Sequence, residues 1–255
     1  MNDRNSDNPY EDFKSDCVKE VSKQSEDTEF TNITNDWLNV ANRYKYSYHY
    51  EWLGRPIIQY PQDIMAMQEI IWSIKPDLII ETGIAHGGSL IFSASMLELN
   101  AMSEGPVDAK VLGIDVDIRK HNRDAIEAHP LYHRISMIEG SSISSDVIEM
   151  VKEESKNKNN ILVFLDSNHT HEHVYKELIA YAPLVTLGSY CVVFDTVIDD
   201  FPKSMFPNRP WGPDDNPKTA VKKYLNEHSE FIVDEYFQNK LKITVAPDGY
   251  LKKIK

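Results

Sequence analysis

The sequence predicts an α/β fold, a doubly wound and mainly parallel sheet with a C-terminal antiparallel hairpin and an N-terminal helical extension. Three observations predict it. From Pro76 onward, short apolar runs alternate with amphipathic segments, the pattern of strands joined by right-handed helical crossovers. Several of the apolar runs stop at Gly, an acid or Ser, residues that suit ligand-binding strand ends. The chain is 255 residues long and 41% hydrophobic, enough for one large domain with an appendage.

Residues 1–35 are charged and polar with few apolar positions, which predicts a mobile leader. The stretch WLNVANRYKYSYHYEWLGRPIIQY, Trp37 to Tyr60, crowds aromatics and reads as a helix followed by a cover segment. Packing of this arm on the core is its plain role, and walling a substrate pocket is a second. Ile64, Met67, Ile71 and Ile74 recur at steps of three, four and three, one apolar face of a helix that Pro76 ends. The cover therefore occupies 36–75 and the main domain 76–255.

Within that domain Leu78–Ile80 reads as a strand and Leu90–Leu99 as a helix, then Val111–Ile114 as a strand and Arg123–Ala128 as a helix. Ile135–Ile138 is the third strand, with a helix over Val147–Lys156. Ile161–Leu165 is the most apolar strand, followed by a helix over His171–Ala182. Tyr190–Phe194 is the fifth strand and Lys218–Asn226 a helix. Phe231–Phe237 and Leu241–Val245 then read as the two arms of an edge hairpin.

A net charge of −13 argues against broad binding to nucleic acid or anionic membrane, either of which needs a basic face. No apolar run approaches the roughly 20 residues that span a bilayer. The acidic N-terminus lacks the layout of a secretory signal. Cys17 lies in the polar leader and Cys191 in an apolar run, so no disulfide framework is implied and a cytoplasmic location fits. The aromatic arm is compatible with a homo-oligomer.

Candidate chemistry gathers at the strand ends. Glu81-Thr82-Gly83-Ile84-Ala85-His86-Gly87-Gly88-Ser89 offers glycines for a tight turn and free N–H groups at a helix start. It is neither GxGxxG nor a Walker loop, and its acid suits a zwitterionic amino-acid cofactor better than a pyrophosphate; an ordinary strand-to-helix turn is the alternative. Asp115, at the next strand end, is placed to accept ribose hydroxyls. Ser141 and Ser142 stand where an adenine edge would lie, or else near a helix cap. Asp166 and Asp195 end two neighbouring strands, and two carboxylates with open positions describe a Mg²⁺ site. His169 is close enough to serve as a general base. The run His169-Thr170-His171-Glu172-His173 is also similar to the HxHxDH ligands of zinc hydrolases, although it lacks the final Asp-His, and the plain reading of His171 and His173 is as exposed residues in a helix's first turn. Within the Pro-punctuated stretch from Val197 to Asn216, Arg209, Trp211, Asp214 and Asp215 are candidate substrate contacts on a lid or a rigid surface loop.

The segments IIETGIAHGGS, GIDVDIRKHNR, EGSS, LDSNHTHEHV, GSYCVVFDT and RPWGPDDNPKTAV together resemble the cephalosporin hydroxylase-like family, from about Pro56 to the C-terminus. The resemblance implies a Rossmann-like class I S-adenosylmethionine-dependent methyltransferase fold, similar to Mg²⁺-dependent macrolide sugar O-methyltransferases. It implies Glu81, Gly83 and Ser89 around the methionine part of the cofactor, with His86 and Gly87 in the same loop, and Asp115 on ribose. It further implies Asp166 and Asp195 as metal ligands and His169 as the base that deprotonates a small-molecule or glycan acceptor. In one departure, Phe194-Asp195 stands where related members carry an acidic pair. A phenylalanine cannot ligate Mg²⁺, so Thr196, Asp199, Asp200 or water completes the shell, or the metal is weak or absent. The competing expectations are a metal-dependent hydroxylase, a zinc hydrolase and a non-catalytic cofactor-binding member.

Overall fold

The computed structural model describes residues 8–255. Two helices open it, α1 (Pro9–Glu26) and α2 (Thr28–Arg43). Asn8 and Asp27 cap them, their side chains accepting from the amides of Tyr10 and Phe30. The expected leader is therefore helical where it is described, and its first seven residues lie outside the described ones. Composition misled here because α1 buries none of its own residues. Capping and i,i+3 ion pairs such as Lys19–Asp16 accompany a helix that is polar nearly all round. The helix α2 does contribute to the core, through Thr34, Leu38 and Ala41.

A short hairpin follows, β1 (Tyr50–Trp52) and β2 (Arg55–Ile57), and then α3 (Pro61–Ile74). The wound domain runs β3 (Leu78–Thr82), α4 (Gly88–Ala101), β4 (Lys110–Asp115), α5 (Lys120–Glu127), β5 (Ile135–Glu139), α6 (Ser145–Ser155), β6 (Ile161–Leu165), α7 (His171–Tyr181), β7 (Tyr190–Val193) and α8 (Pro217–Glu227). It ends with β8 (Phe231–Val233), α9 (Glu235–Leu241) and β9 (Tyr250–Lys253).

The seven-stranded sheet has the order β5-β4-β3-β6-β7-β9-β8. The first five are parallel, and β9 pairs antiparallel with both β7 and β8. The antiparallel edge is thus present, but its second arm is β9 rather than Leu241–Val245. The helix α9 intervenes, and Lys242 takes a φ of +58° that ends the helix. Val245 gives its amide to Asp63 instead of a strand partner.

Alternation along the strands splits the core in two. Ile79, Leu162, Phe164 and Val192 face α3 and α4, while Leu78, Ile80, Val163 and Leu165 face the helices on the other side. Both faces are covered, as a parallel sheet requires. The chain winds outward from β3 through β5 and then returns to β6, so the winding reverses between β3 and β6. That reversal is where doubly wound sheets bind ligands.

Candidate active site

At the reversal the two strand ends touch. Gly83 has φ +91°, and a β-carbon there would lie 2.1 Å from the carbonyl oxygen of Asp166. Only glycine allows this approach. A cleft of about 800 Å³ opens above it. One wall is the loop after β3, with Gly83, Ala85, His86 and Ser89 on it, and the floor holds Asp166, His169 and Asp195. The N-terminal cover forms a second wall through Asn42, Tyr48, Gln59 and Tyr60, and the stretch after β7 a third through Phe206, Arg209 and Trp211. The aromatic arm packs on the core, with Trp37 on Tyr46 and Tyr60 at 5.0 and 6.0 Å between ring centroids, and Tyr60 also lines the cleft.

The loop after β3 is held on both sides. Asp115 Oδ2 accepts from the amides of Ile84 (2.8 Å) and Ala85 (3.2 Å). Arg55, from the β1–β2 hairpin, donates to the carbonyl of His86 through Nε (3.0 Å) and Nη2 (2.6 Å) and to Asn122 Oδ1 at 3.0 Å. Asn122 in turn donates to the carbonyl of Ala85 at 2.8 Å. This clasp fixes Ala85 at φ +45°, a left-handed conformation that costs an alanine on the order of 1–2 kcal/mol.

The expected cofactor residues divide accordingly. Gly83, His86 and Ser89 line the cleft. Glu81 is buried behind Ser89, accepting from the Ser89 hydroxyl and more weakly from Ser93. Burial pushes its carboxyl up to about 7 against the lowering effect of those hydroxyls. Gly87 packs on Ile126 and does not line the cleft. Asp115 holds the loop instead of facing the cavity. Ser141 and Ser142 lie outside the cleft lining, and buried Ser142 meets His173 Nε2 at 3.0 Å.

Asp166, His169 and Asp195 each bring a ligand atom within 4.8 Å of the others. His169 Nε2 lies 3.1 Å from Asp195 Oδ2, and the His169 ring stands edge-on to Trp211 at 4.8 Å. Asp195 takes φ +57°, which turns it out of line with β7. Burial pushes the Asp166 carboxyl well above the usual range, and the nearby charges of Asp195, Glu81, Glu177 and Asp63 push it further. A gathering of acids with this donor set, short of positive charge, fits a divalent cation.

The other expected shell members are engaged elsewhere. Phe194 is 3% exposed and turns into the core against Phe164, 5.9 Å between ring centroids. Thr196 donates to the carbonyl of Pro247, Asp199 accepts from Asn216 and Lys222, and Asp200 accepts from Lys218. Sequence reasoning missed Gln59, which is 4% exposed and whose Nε2 donates to Asp166 Oδ2 at 3.2 Å.

The zinc-hydrolase reading of the histidine run is not supported, because its histidines diverge. His171 Nδ1 meets Thr219 Oγ1 at 2.8 Å, and His173 lies against Ser142, Ser167 and buried Glu177. The expectation that His173 is simply exposed is corrected by the same contacts. One histidine also falls short of the two that an iron facial triad needs.

The stretch from Thr196 to Asn216 is pinned at its base. Asn216 Nδ2 donates to Asp199 Oδ1 (2.7 Å) and to the carbonyl of Gly212 (2.9 Å), and Lys218 reaches Asp200 at 2.8 Å. Arg209 and Trp211 line the cleft, with the Arg209 guanidinium 5.0 Å from the Trp211 ring centroid. Asp214 does not line it; its amide donates to Asp199, and Asp215 accepts from the amide of His171 at the start of α7.

The profile described as rhamnosyl O-methyltransferase/CmcI matches residues 44–254. A protein of Mycobacterium tuberculosis named rhamnosyl O-methyltransferase is 30% identical over 194 residues, 74% of this chain and 72% of that protein. Its namesake in Mycobacterium leprae is 28% identical over 78% of this chain and 81% of that protein. Among solved structures, CmcI with Mg and SAM superposes with a TM-score of 0.56 at 17% identity, covering 82% of this chain and 78% of the other. TomG from Streptomyces achromogenes, an O-methyltransferase solved with SAM, gives 0.52 at 14% identity over 77% and 81%. These structures share the class I methyltransferase fold that the sheet order describes. Together with the length of the profile match, they establish that the chain belongs to the rhamnosyl O-methyltransferase/CmcI family.

Proposed function

We propose that this O-methyltransferase moves a methyl group from S-adenosylmethionine to a sugar hydroxyl, with Mg²⁺ held by Asp166 and Asp195. The observation that carries the reading is the Asp166–His169–Asp195 group, gathered beside a glycine loop at the point where the sheet's winding reverses. The relatives named for a rhamnosyl acceptor support a sugar of that class, and aromatic walls of Tyr48, Phe206 and Trp211 suit a sugar ring.

When bound, the donor supplies an activated methyl, and Mg²⁺ lowers the pKa of a coordinated hydroxyl. The chain's own residues align and deprotonate. The loop clasped by Asp115, Arg55 and Asn122 presents a fixed surface to the donor, which favours alignment over search. His169, its Nε2 3.1 Å from Asp195 Oδ2, takes the acceptor proton, and the neighbouring carboxylate stabilises the imidazolium that results. Trp211, edge-on to His169, restricts the ring's rotation.

Calorimetric titration with S-adenosylhomocysteine, with and without Mg²⁺, tests the donor side. Micromolar binding is expected and leads to rhamnosyl acceptors as substrates. Absence of binding under both conditions overturns the proposal.

A further inference from the structure

The carboxylates of Asp166 and Asp195 supply only part of the oxygen shell that Mg²⁺ demands. Asp199, Asp200 and Thr196 are held by other partners, and Phe194 points into the core. One oxygen beside the site has no partner at all among the described residues. Gln59 Oε1 is buried and accepts no hydrogen bond, while Nε2 of the same amide sits 3.2 Å from Asp166 Oδ2. A buried carbonyl-type oxygen left without a partner costs about 1–3 kcal/mol, so the bond from Nε2 to Asp166 is all that favours the present orientation of the amide.

We propose that Gln59 is a metal-binding residue of this site, its amide oxygen joining Asp166 and Asp195 in holding a divalent cation. A half-turn of the amide exchanges its oxygen and nitrogen. It would put Oε1 near the position Nε2 now occupies, 3.2 Å from Asp166 Oδ2. Two oxygens side by side on an octahedral Mg²⁺ with bonds of about 2.1 Å stand about 3 Å apart, so the spacing suits a shared ion. Without a cation the same amide turns its nitrogen to the carboxylate and donates. Gln59 thus has a fitting orientation for the empty and the loaded site, which neither a carboxylate nor an apolar side chain would have. It belongs to the segment between β2 and α3, so the N-terminal cover becomes part of the metal centre.

The inference rests on the Mg²⁺ reading above, and one set of titrations separates the two. Mg²⁺ is titrated into the full-length wild type, Gln59→Leu and Gln59→Glu, each saturated with S-adenosylhomocysteine. Gln59→Leu is expected to weaken Mg²⁺ binding about tenfold or more, and Gln59→Glu to bind at least as tightly as the wild type, because it still offers an oxygen. Gln59→Leu matching the wild type overturns the assignment. So does weakening in Gln59→Glu, which would mean that Gln59 serves only as a donor to Asp166. Should Gln59→Leu not fold, Gln59→Glu decides alone by the same rule. A wild type that binds S-adenosylhomocysteine but not Mg²⁺ overturns the metal reading itself, and the ligand role of Gln59 with it.

Discussion

His169 is where the proposed chemistry is most exposed to test. It reaches Asp195 on one side and the edge of Trp211 on another, whereas the loop after β3 that the proposal gives to the donor is held by Asp115, Arg55 and Asn122. His169→Ala is therefore expected to lower turnover about 10²–10⁴-fold or more while S-adenosylhomocysteine binds within about twofold of the wild type. Lost donor affinity in a folded variant would remove the role of base. The gathering of Asp166, His169 and Asp195 was legible in the sequence because Asp166 and Asp195 each directly follow an apolar run, His169 lies three residues beyond one of them, and a strand end in a parallel sheet is a fixed address. Gln59, Arg55 and Asn122 were not. They sit on the cover and on the face of α5, and nothing in their local sequence shows which strand end they reach. His173 was misread for a related reason: a helix's first turn reads as exposed until another strand end, here at Ser142, closes over it.

Among the elements, the β1–β2 hairpin matters beyond its size. It lies outside the wound sheet, yet Arg55 bonds the carbonyl of His86 and the side chain of Asn122, so it braces the loop from the side opposite Asp115. A charge-assisted bond of this kind contributes on the order of 1.5–3 kcal/mol. Arg55→Ala is expected to raise the dissociation constant for S-adenosylhomocysteine about tenfold and to speed amide exchange over residues 84–87. Arg55→Lys should fall between, since an ammonium cannot reproduce the guanidinium fork. Unchanged exchange in Arg55→Ala would show that the loop stands without its brace. The five parallel strands were readable from alternation, with boundaries shifted by a residue or two, whereas the expected edge arm Phe231–Phe237 is a strand only to Val233 and enters α9 at Glu235. The failure came at Leu241–Val245, where an apolar run is shaped by long-range partners and not by its own period.

On the scale of the whole molecule, the N-terminal cover and the last strand meet at Asp63. This fully buried carboxylate of α3 accepts from Tyr250 at 2.8 Å, from the amide of Val245 at 2.9 Å and from Thr244, tying the cover to the last strand. Burial raises its carboxyl to about 6, against the lowering effect of those bonds. A folded pKa above the unfolded one means that the native state holds the proton longer. Its contribution to stability is therefore full below about pH 4 and is lost as pH rises through about 6, by at most roughly 1.4 kcal/mol per unit. Asp63→Asn lacks that loss, although it forfeits one of the accepted bonds. In urea melts at pH 4.5 and 6.5, the stability difference is expected to move in the variant's favour at the higher pH; movement the other way would contradict the raised pKa. Burial of this kind is invisible in a sequence, where Asp63 is one acid among 40 acidic residues.

The latch between Asp199 and Asn216 has a consequence for how such enzymes diversify. The two ends of the intervening segment are fixed to each other and to α8 through Lys218. Its interior, with Arg209 and Trp211, can therefore lengthen or shorten without disturbing the sheet. Closing a loop of doubled length costs only about 0.6 kcal/mol when its ends are already held. The segment is in effect an exchangeable cassette, through which new acceptor preferences can evolve or be grafted while the donor loop and the carboxylates stay in place.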